Sequence, residues 1–174
     1  MKKSFILLIF LVVACHSTYE LHTETYKGKP ILVGKATLQD LEKKPYNEWF
    51  DANFRDYRPD AGIIEKLKPL VNDYDFRVIL GTWCGDSQEQ VPVLFKVLNQ
   101  AGYKKQPEMY CVPRNYKSYQ PAIDNGVIRV PTIIVLKNGK EAGRIIEYPM
   151  QSIEADIYQI MSTGDYVHEL MREK

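Results

Sequence analysis

Phe76-Arg77-Val78-Ile79-Leu80-Gly81-Thr82-Trp83-Cys84-Gly85-Asp86-Ser87 is the stretch on which the fold turns. An apolar, strand-like run ends at Gly81, a Trp-Cys pair follows, and Gly85-Asp86-Ser87 reads as a tight turn. A helical segment then runs from Gln88 to Gln100, with Val91, Leu94, Phe95 and Leu98 on one stripe. A cysteine at a helix start, just past a strand, meets free backbone N–H groups and the positive end of the helix dipole. Both favour the thiolate, the nucleophilic form. Taken alone, the stretch fits a reactive thiol and a buried core cysteine equally well.

Downstream, Pro92 falls inside the helix, where it removes a hydrogen bond and bends the axis. Gly102 suits the helix stop. Glu108 to Val112 reads as a short strand carrying Cys111, and Pro113 to Asn125 as a polar, Tyr-rich loop with a short helix around Ser118 to Asp124. Val127 to Val130 leads into Pro131, and Thr132 to Leu136 is a β-branched strand. Asn138-Gly139 is a hairpin turn, with Glu141 to Glu147 returning beside it. Ser152 caps a last helix with Ile153, Ile157, Ile160 and Met161 on one face.

Upstream, Asp60 caps a helix striped by Ile63, Ile64, Leu67, Leu70 and Val71. Tyr46, Trp49, Phe50, Phe54 and Tyr57 have helical spacing, and this aromatic face reads as packing rather than a ligand platform. Thr37 and Asp40 have capping-box spacing, and Pro45 interrupts what they start. Ile31-Leu32-Val33 reads as a small strand at most, within a polar stretch from His16 onward. The order helix, strand, helix, strand, helix, β-hairpin, helix implies a parallel βαβ unit with antiparallel strands added to the same sheet.

The N-terminus reads as a targeting segment. Met1-Lys2-Lys3-Ser4 is basic, and Phe5 to Val13 is apolar but short for a bilayer span. Val12-Val13-Ala14-Cys15 is similar to a bacterial lipoprotein signal, in which Cys15 is lipidated and becomes the mature N-terminus. An ordinary cleaved secretory signal and an uncleaved anchor are the alternatives. His16 after the cysteine, rather than Asp, leans toward an outer membrane by similarity to enterobacterial sorting rules.

Length and composition bound the rest. The chain has 174 residues, 45% hydrophobic content, 12 Tyr and a net charge of +1, which fits one globular domain and leaves no basic footprint for nucleic acid. Export makes a Cys84–Cys111 disulfide one reading and two free thiols the other. His16, His22 and His168 fall outside the motif region, which argues against a Cys-His hydrolase. No Cys/His cluster has metal spacing and no glycine-rich phosphate loop is present, so no metal or cofactor is expected.

With Trp83-Cys84-Gly85-Asp86-Ser87, Pro92, Val130-Pro131-Thr132 and Lys137-Asn138-Gly139 in place, residues 60–163 resemble the thioredoxin family. The WCGDS form is similar to a bacterial, often exported subgroup. The resemblance implies an α/β thioredoxin fold, a central mixed sheet flanked by helices, here with an N-terminal helical extension. It also implies a cis Pro131 packed against the active-site turn. The implied organisation is a signal peptide with the lipidation cysteine (1–15), a tether (16–36), the extension (37–59), the thioredoxin-like domain (60–163) and a polar, peripheral tail (164–174).

The departures bear on function. The family's second active-site cysteine is Ser87 here, its motif proline is Asp86, and its buried acid is Val78. Glu147 stands where the family usually has a groove glycine. A lone first cysteine forms a mixed disulfide but has no resolving partner at the usual place. The resemblance therefore implies an exported thiol-disulfide oxidoreductase or isomerase-like protein acting through Cys84. Ser87 is then a hydrogen-bond donor to the thiolate or simply a helix cap, with Trp83, Gly85, Asp86, Val130 and Pro131 contacting substrate. Its partners are envelope proteins bearing thiols or disulfides, it is held to a membrane by the lipid, and it is a monomer. The alternative is a redox-inactive binding module or chaperone; glutathione-linked transfer is a third, weaker reading. Cys111 reads as a core residue in preference to a remote resolving thiol. Asp86 and Glu147 read as solvated charges in preference to an acidic rim that selects cationic substrates.

Overall fold

In a computed structural model of the chain, the described residues are 19–172; Cys15 and the apolar run before it lie outside them. The elements are β1 (His22–Tyr26), β2 (Lys29–Ala36), α1 (Leu38–Leu41), α2 (Asn47–Asp56), α3 (Ala61–Leu67), β3 (Asp75–Leu80), α4 (Gly85–Gln100), β4 (Glu108–Cys111), α5 (Gln120–Asp124), β5 (Thr132–Lys137), β6 (Lys140–Ile146), α6 (Ile153–Thr163) and α7 (Glu169–Arg172). The protein is a mixed α/β fold with one six-stranded sheet, in the order β1-β2-β4-β3-β5-β6.

The inner strand β3 is buried on both faces. Val78 and Leu80 enter a large core with α2, α3, α4 and α6, while Ile79 joins a smaller cluster with Val112, Ala122, Val127 and Val130. Two-sided burial explains the unbroken apolar run. β3 pairs in parallel with β4 through the α4 crossover, as the sequence predicts. It pairs antiparallel with β5, which turns into β6 at Asn138 and Gly139, both at positive φ (51° and 74°). The Asp60 and Ser152 caps form as read, accepting from the N–H groups of Ile63 and Ala155.

The N-terminal segment departs from the expected tether. Residues 22–36 form a hairpin, and β2 pairs antiparallel with β4. Composition hides this because β1 is exposed along nearly its whole length and so lacks the alternation of a half-buried strand. Its polar side chains suit a sheet edge. Gly34 has φ 120°, and a Cβ there would lie 2.4 Å from the Glu20 carbonyl oxygen, so the chain crosses itself at a point only glycine accommodates.

The aromatic face of 46–57 packs on the domain body, as its spacing predicts. Phe50 of α2 packs against Phe54 and against Phe95 of α4, with ring centroids 6.1 and 5.9 Å apart. No structural break at residue 60 separates α2 from the body. The expected polar, peripheral tail is also corrected: Tyr166 and His168 are buried. The Tyr166 hydroxyl donates to Asp156 at 2.7 Å, and the His168 ring bonds the Tyr148 carbonyl at 2.9 Å. Two polar side chains that find buried partners hold an otherwise polar segment down.

Candidate active site

The loop between β3 and α4 is fixed from three directions. Cys84 N–H donates to the Gly81 carbonyl at 2.8 Å, closing the turn. The Thr82 hydroxyl accepts from Leu32 N–H at 3.0 Å, tying the loop to β2. The Gln88 side chain donates to the Thr82 carbonyl at 2.8 Å, and Asn53 of α2 donates to the Gln88 carbonyl at 3.0 Å. Trp83 folds back over Gly81 and donates its indole N–H to the Val112 carbonyl at 2.9 Å. A Cβ at position 81 would lie 2.6 Å from the indole. Gly81→Ala is therefore expected to displace Trp83 at a cost of about 1–3 kcal/mol, as for overpacking. The check is a red shift of Trp83 emission in a Trp49→Phe background; unchanged emission and stability would refute the contact.

Cys84 is the N-cap of the 16-residue α4, with Gly85, Asp86 and Ser87 as its first three helical residues. Its thiol is partly exposed. The sulfur is 3.3 Å from the Val130 carbonyl oxygen and 3.7 Å from Asp86 Oδ2. Cys84 makes no side-chain cap bond to a helix N–H. The neighbours of the sulfur are therefore a carboxylate and a carbonyl oxygen rather than the helix amides expected. Ser87 is corrected too. It is fully buried, and its hydroxyl accepts from Gly81 N–H at 3.2 Å, bracing the turn instead of meeting the sulfur. Gly85 is exposed, with open space where a Cβ would stand, so the surface beside the thiol stays clear.

Val130-Pro131 is a cis peptide bond, matching what the resemblance implies. The Pro131 carbonyl accepts from Glu147 N–H at 2.7 Å. Glu147 has φ 66°, a conformation that favours glycine, and its carboxylate pairs with Arg129 at 2.8 Å. That pairing removes it from any acidic rim.

Trp83, Cys84 and Arg114 form a saddle between two clefts, of about 800 and 470 Å3. The Arg114 guanidinium lies 4.4 Å over the Trp83 ring and 5.5 Å from Tyr26, while Tyr116 stacks on Trp83 at 6.1 Å. Tyr26, Lys27, Lys29, Trp49, Arg114 and Tyr116 are site residues that the sequence reading missed. One signal was available: Lys27-Gly28 separates two strands by two residues, a hairpin spacing.

Cys111 lies in the large core, whereas Cys84 packs on the cluster across the sheet. Both thiols are free. Burial pushes the Cys111 thiol up to about 12, with the Asp40 charge adding to it, so it stays protonated at neutral pH. With Cys15→Ser in place, Ellman's reagent at pH 8 is expected to titrate Cys84 in the native protein and Cys111 only on unfolding. Two equally fast native thiols would contradict the placement. Among the described residues no cluster of His, Cys, Asp or Glu is placed to hold a metal.

No protein-family model matches the chain, and no curated protein matches it. Among solved structures it is similar to a protein of unknown function from Pseudomonas aeruginosa, with TM-score 0.52 and 14% identity over 75% of this chain and 82% of that one. It is also similar to an HIV epitope scaffold, with TM-score 0.49 and 17% identity over 71% and 76% of the two chains. The first of these likenesses supports the mixed α/β fold alone.

Proposed function

We propose that the chain adopts a thioredoxin fold and carries out thiol-disulfide exchange through Cys84 alone. It does so as a monomer, exported and held in the cell envelope by lipid at Cys15, on partner proteins bearing thiols or disulfides. The fold reading is supported by the parallel β3–α4–β4 unit, the antiparallel β5–β6 pair and α6 on the same face as α4. The observation that carries the activity is the placement of one partly exposed sulfur at a helix N-cap. That sulfur lies on a saddle between two open clefts, against the carbonyl that precedes Pro131.

The chemistry is one exchange step. Cys84 loses its proton to solvent, and its sulfur bonds one sulfur of the partner's disulfide. The partner's S–S bond breaks, and its second sulfur leaves as a thiolate with the electron pair. Resolution then needs another thiol, from the partner or a small-molecule thiol in the compartment. Ser87 cannot supply it. A non-covalent binding role is the second reading, favoured by the two acceptors that flank the sulfur.

The discriminating experiment incubates the chain with a disulfide-bonded peptide and follows mass under non-reducing conditions. A dithiothreitol-sensitive adduct at Cys84 is expected. Retention of the peptide with no adduct would replace exchange by binding.

A further inference from the structure

We propose that the larger cleft, between the β1–β2 hairpin and α2, is a docking subsite for an acidic peptide segment beside the partner's reacting cysteine. The inference rests on the exchange reading above. Pro30, Tyr26, Trp83, Pro45 and Trp49 wall this cleft, and Cys84 lies at its end. Its volume of about 800 Å3 holds several side chains. Its charges are Lys27, Lys29 and Arg114 against a single carboxylate, Glu48.

Two of the three cations lie against aromatic rings. Lys27 and Gly28 form the β1–β2 turn with φ 51° and 75°, the two-residue pattern that fits strand twist. The Lys27 ammonium sits 5.5 Å over the Tyr26 ring, and Arg114 is held between Tyr26 and Trp83. Arg114 and Lys27 also lower the pKa of the Tyr26 hydroxyl, as expected of a locally positive surface. Across the saddle the smaller cleft is mixed in sign: Asp86 and Glu147 stand against Lys117, Arg129 and the shared Arg114. Apart from the shared Arg114, a peptide crossing the sulfur thus meets net positive charge on one side only. The cleft selects which flank of the partner's cysteine carries the acids, and electrostatic complementarity of this kind acts chiefly on association rate.

The test uses the full chain with Cys15→Ser and three peptides of equal length. Each has a central cysteine carried as its thionitrobenzoate disulfide, flanked by Glu and Tyr, by Lys and Tyr, or by Ser. Attack by Cys84 bonds its sulfur to the peptide sulfur and expels coloured thionitrobenzoate, with no external oxidant or reductant. At low salt the Glu peptide is expected to react about tenfold faster than the Lys peptide, with the gap closing in 1 M NaCl as screening shortens to ~3 Å. In Lys27→Glu/Lys29→Glu the ratio of the two rates should fall to near one or invert. A ratio near one in the unaltered cleft, or one preserved in the double variant, overturns the inference. Uncharged 2,2′-dithiodipyridine separates the two levels. If it reacts at Cys84 while the peptides are not distinguished, only the subsite fails; if it does not react, exchange through Cys84 fails as well.

Discussion

With Cys15→Ser in place, Cys84→Ser is expected to abolish every covalent adduct, while Ser87→Cys is expected to make adducts form and then vanish. The first follows because the other described thiol, Cys111, is fully buried in the core and protonated at neutral pH. The second follows from position. Residues 84 and 87 are the N-cap and third helical residue of α4, the pair that a capping side chain ordinarily bridges. A thiol at position 87 would attack the mixed disulfide intramolecularly, at an effective concentration orders of magnitude above any free thiol. The peptide would leave reduced, and the sulfurs at positions 84 and 87 would be left joined as a disulfide. Adduct lifetime, followed by mass after quenching in acid, should fall at least a hundredfold, on the order of the effective-molarity advantage. A long-lived adduct in Ser87→Cys would show that position 87 faces away from the sulfur. Adduct formation in Cys84→Ser would remove Cys84 from the chemistry altogether. Ser87→Cys also loses the hydroxyl that accepts from Gly81 N–H, so a modest loss of stability accompanies it.

Asp156→Ala is expected to be the most damaging single substitution away from the thiol. Asp156 has no accessible surface and accepts from Met150 N–H at 2.6 Å, Gln151 N–H at 3.2 Å and the Tyr166 hydroxyl at 2.7 Å. Truncation leaves the buried Tyr166 hydroxyl and two partly buried N–H groups without their acceptor, at a cost of about 3–5 kcal/mol in total, a large share of a typical 5–15 kcal/mol stability. Tyr166 is tied to the same group: burial and the Asp156 carboxylate together push its pKa up. Asp156→Asn keeps the shape and one acceptor oxygen and should lose roughly half as much. Urea unfolding gives both values, and a midpoint unmoved by Asp156→Ala would refute the network. Tyr166→Phe serves as control, removing only the hydroxyl's bond.

The thiol turn was legible because its chemistry is local. Strand, glycine, Trp-Cys and helix follow one another, and the Asn138-Gly139 turn announces its own hairpin. Ser87 was misread because its partner, Gly81 N–H, is chosen by how tightly the turn closes rather than by residue type. Tyr26 and Arg114 were invisible as site residues. They lie 88 positions apart, on an edge hairpin and a loop, and meet only once β2 has paired with β4. β1 gave no strand signal because a solvated edge needs no apolar face. Tyr166 fell in the stretch read as a polar tail, since nothing in its spacing reveals that Asp156 is its buried partner.

The bond from Leu32 N–H to the Thr82 hydroxyl also bears on where the chain can be shortened. The stretch that looks most dispensable by composition both shields a neighbouring strand and braces the thiol turn. A version beginning at residue 37 would keep every residue of the Trp83–Ser87 motif, yet β4 would become an open edge and Thr82 would lose its donor. Such a chain would be predisposed to stick to copies of itself along β4, and its failure would look like poor solubility rather than lost chemistry.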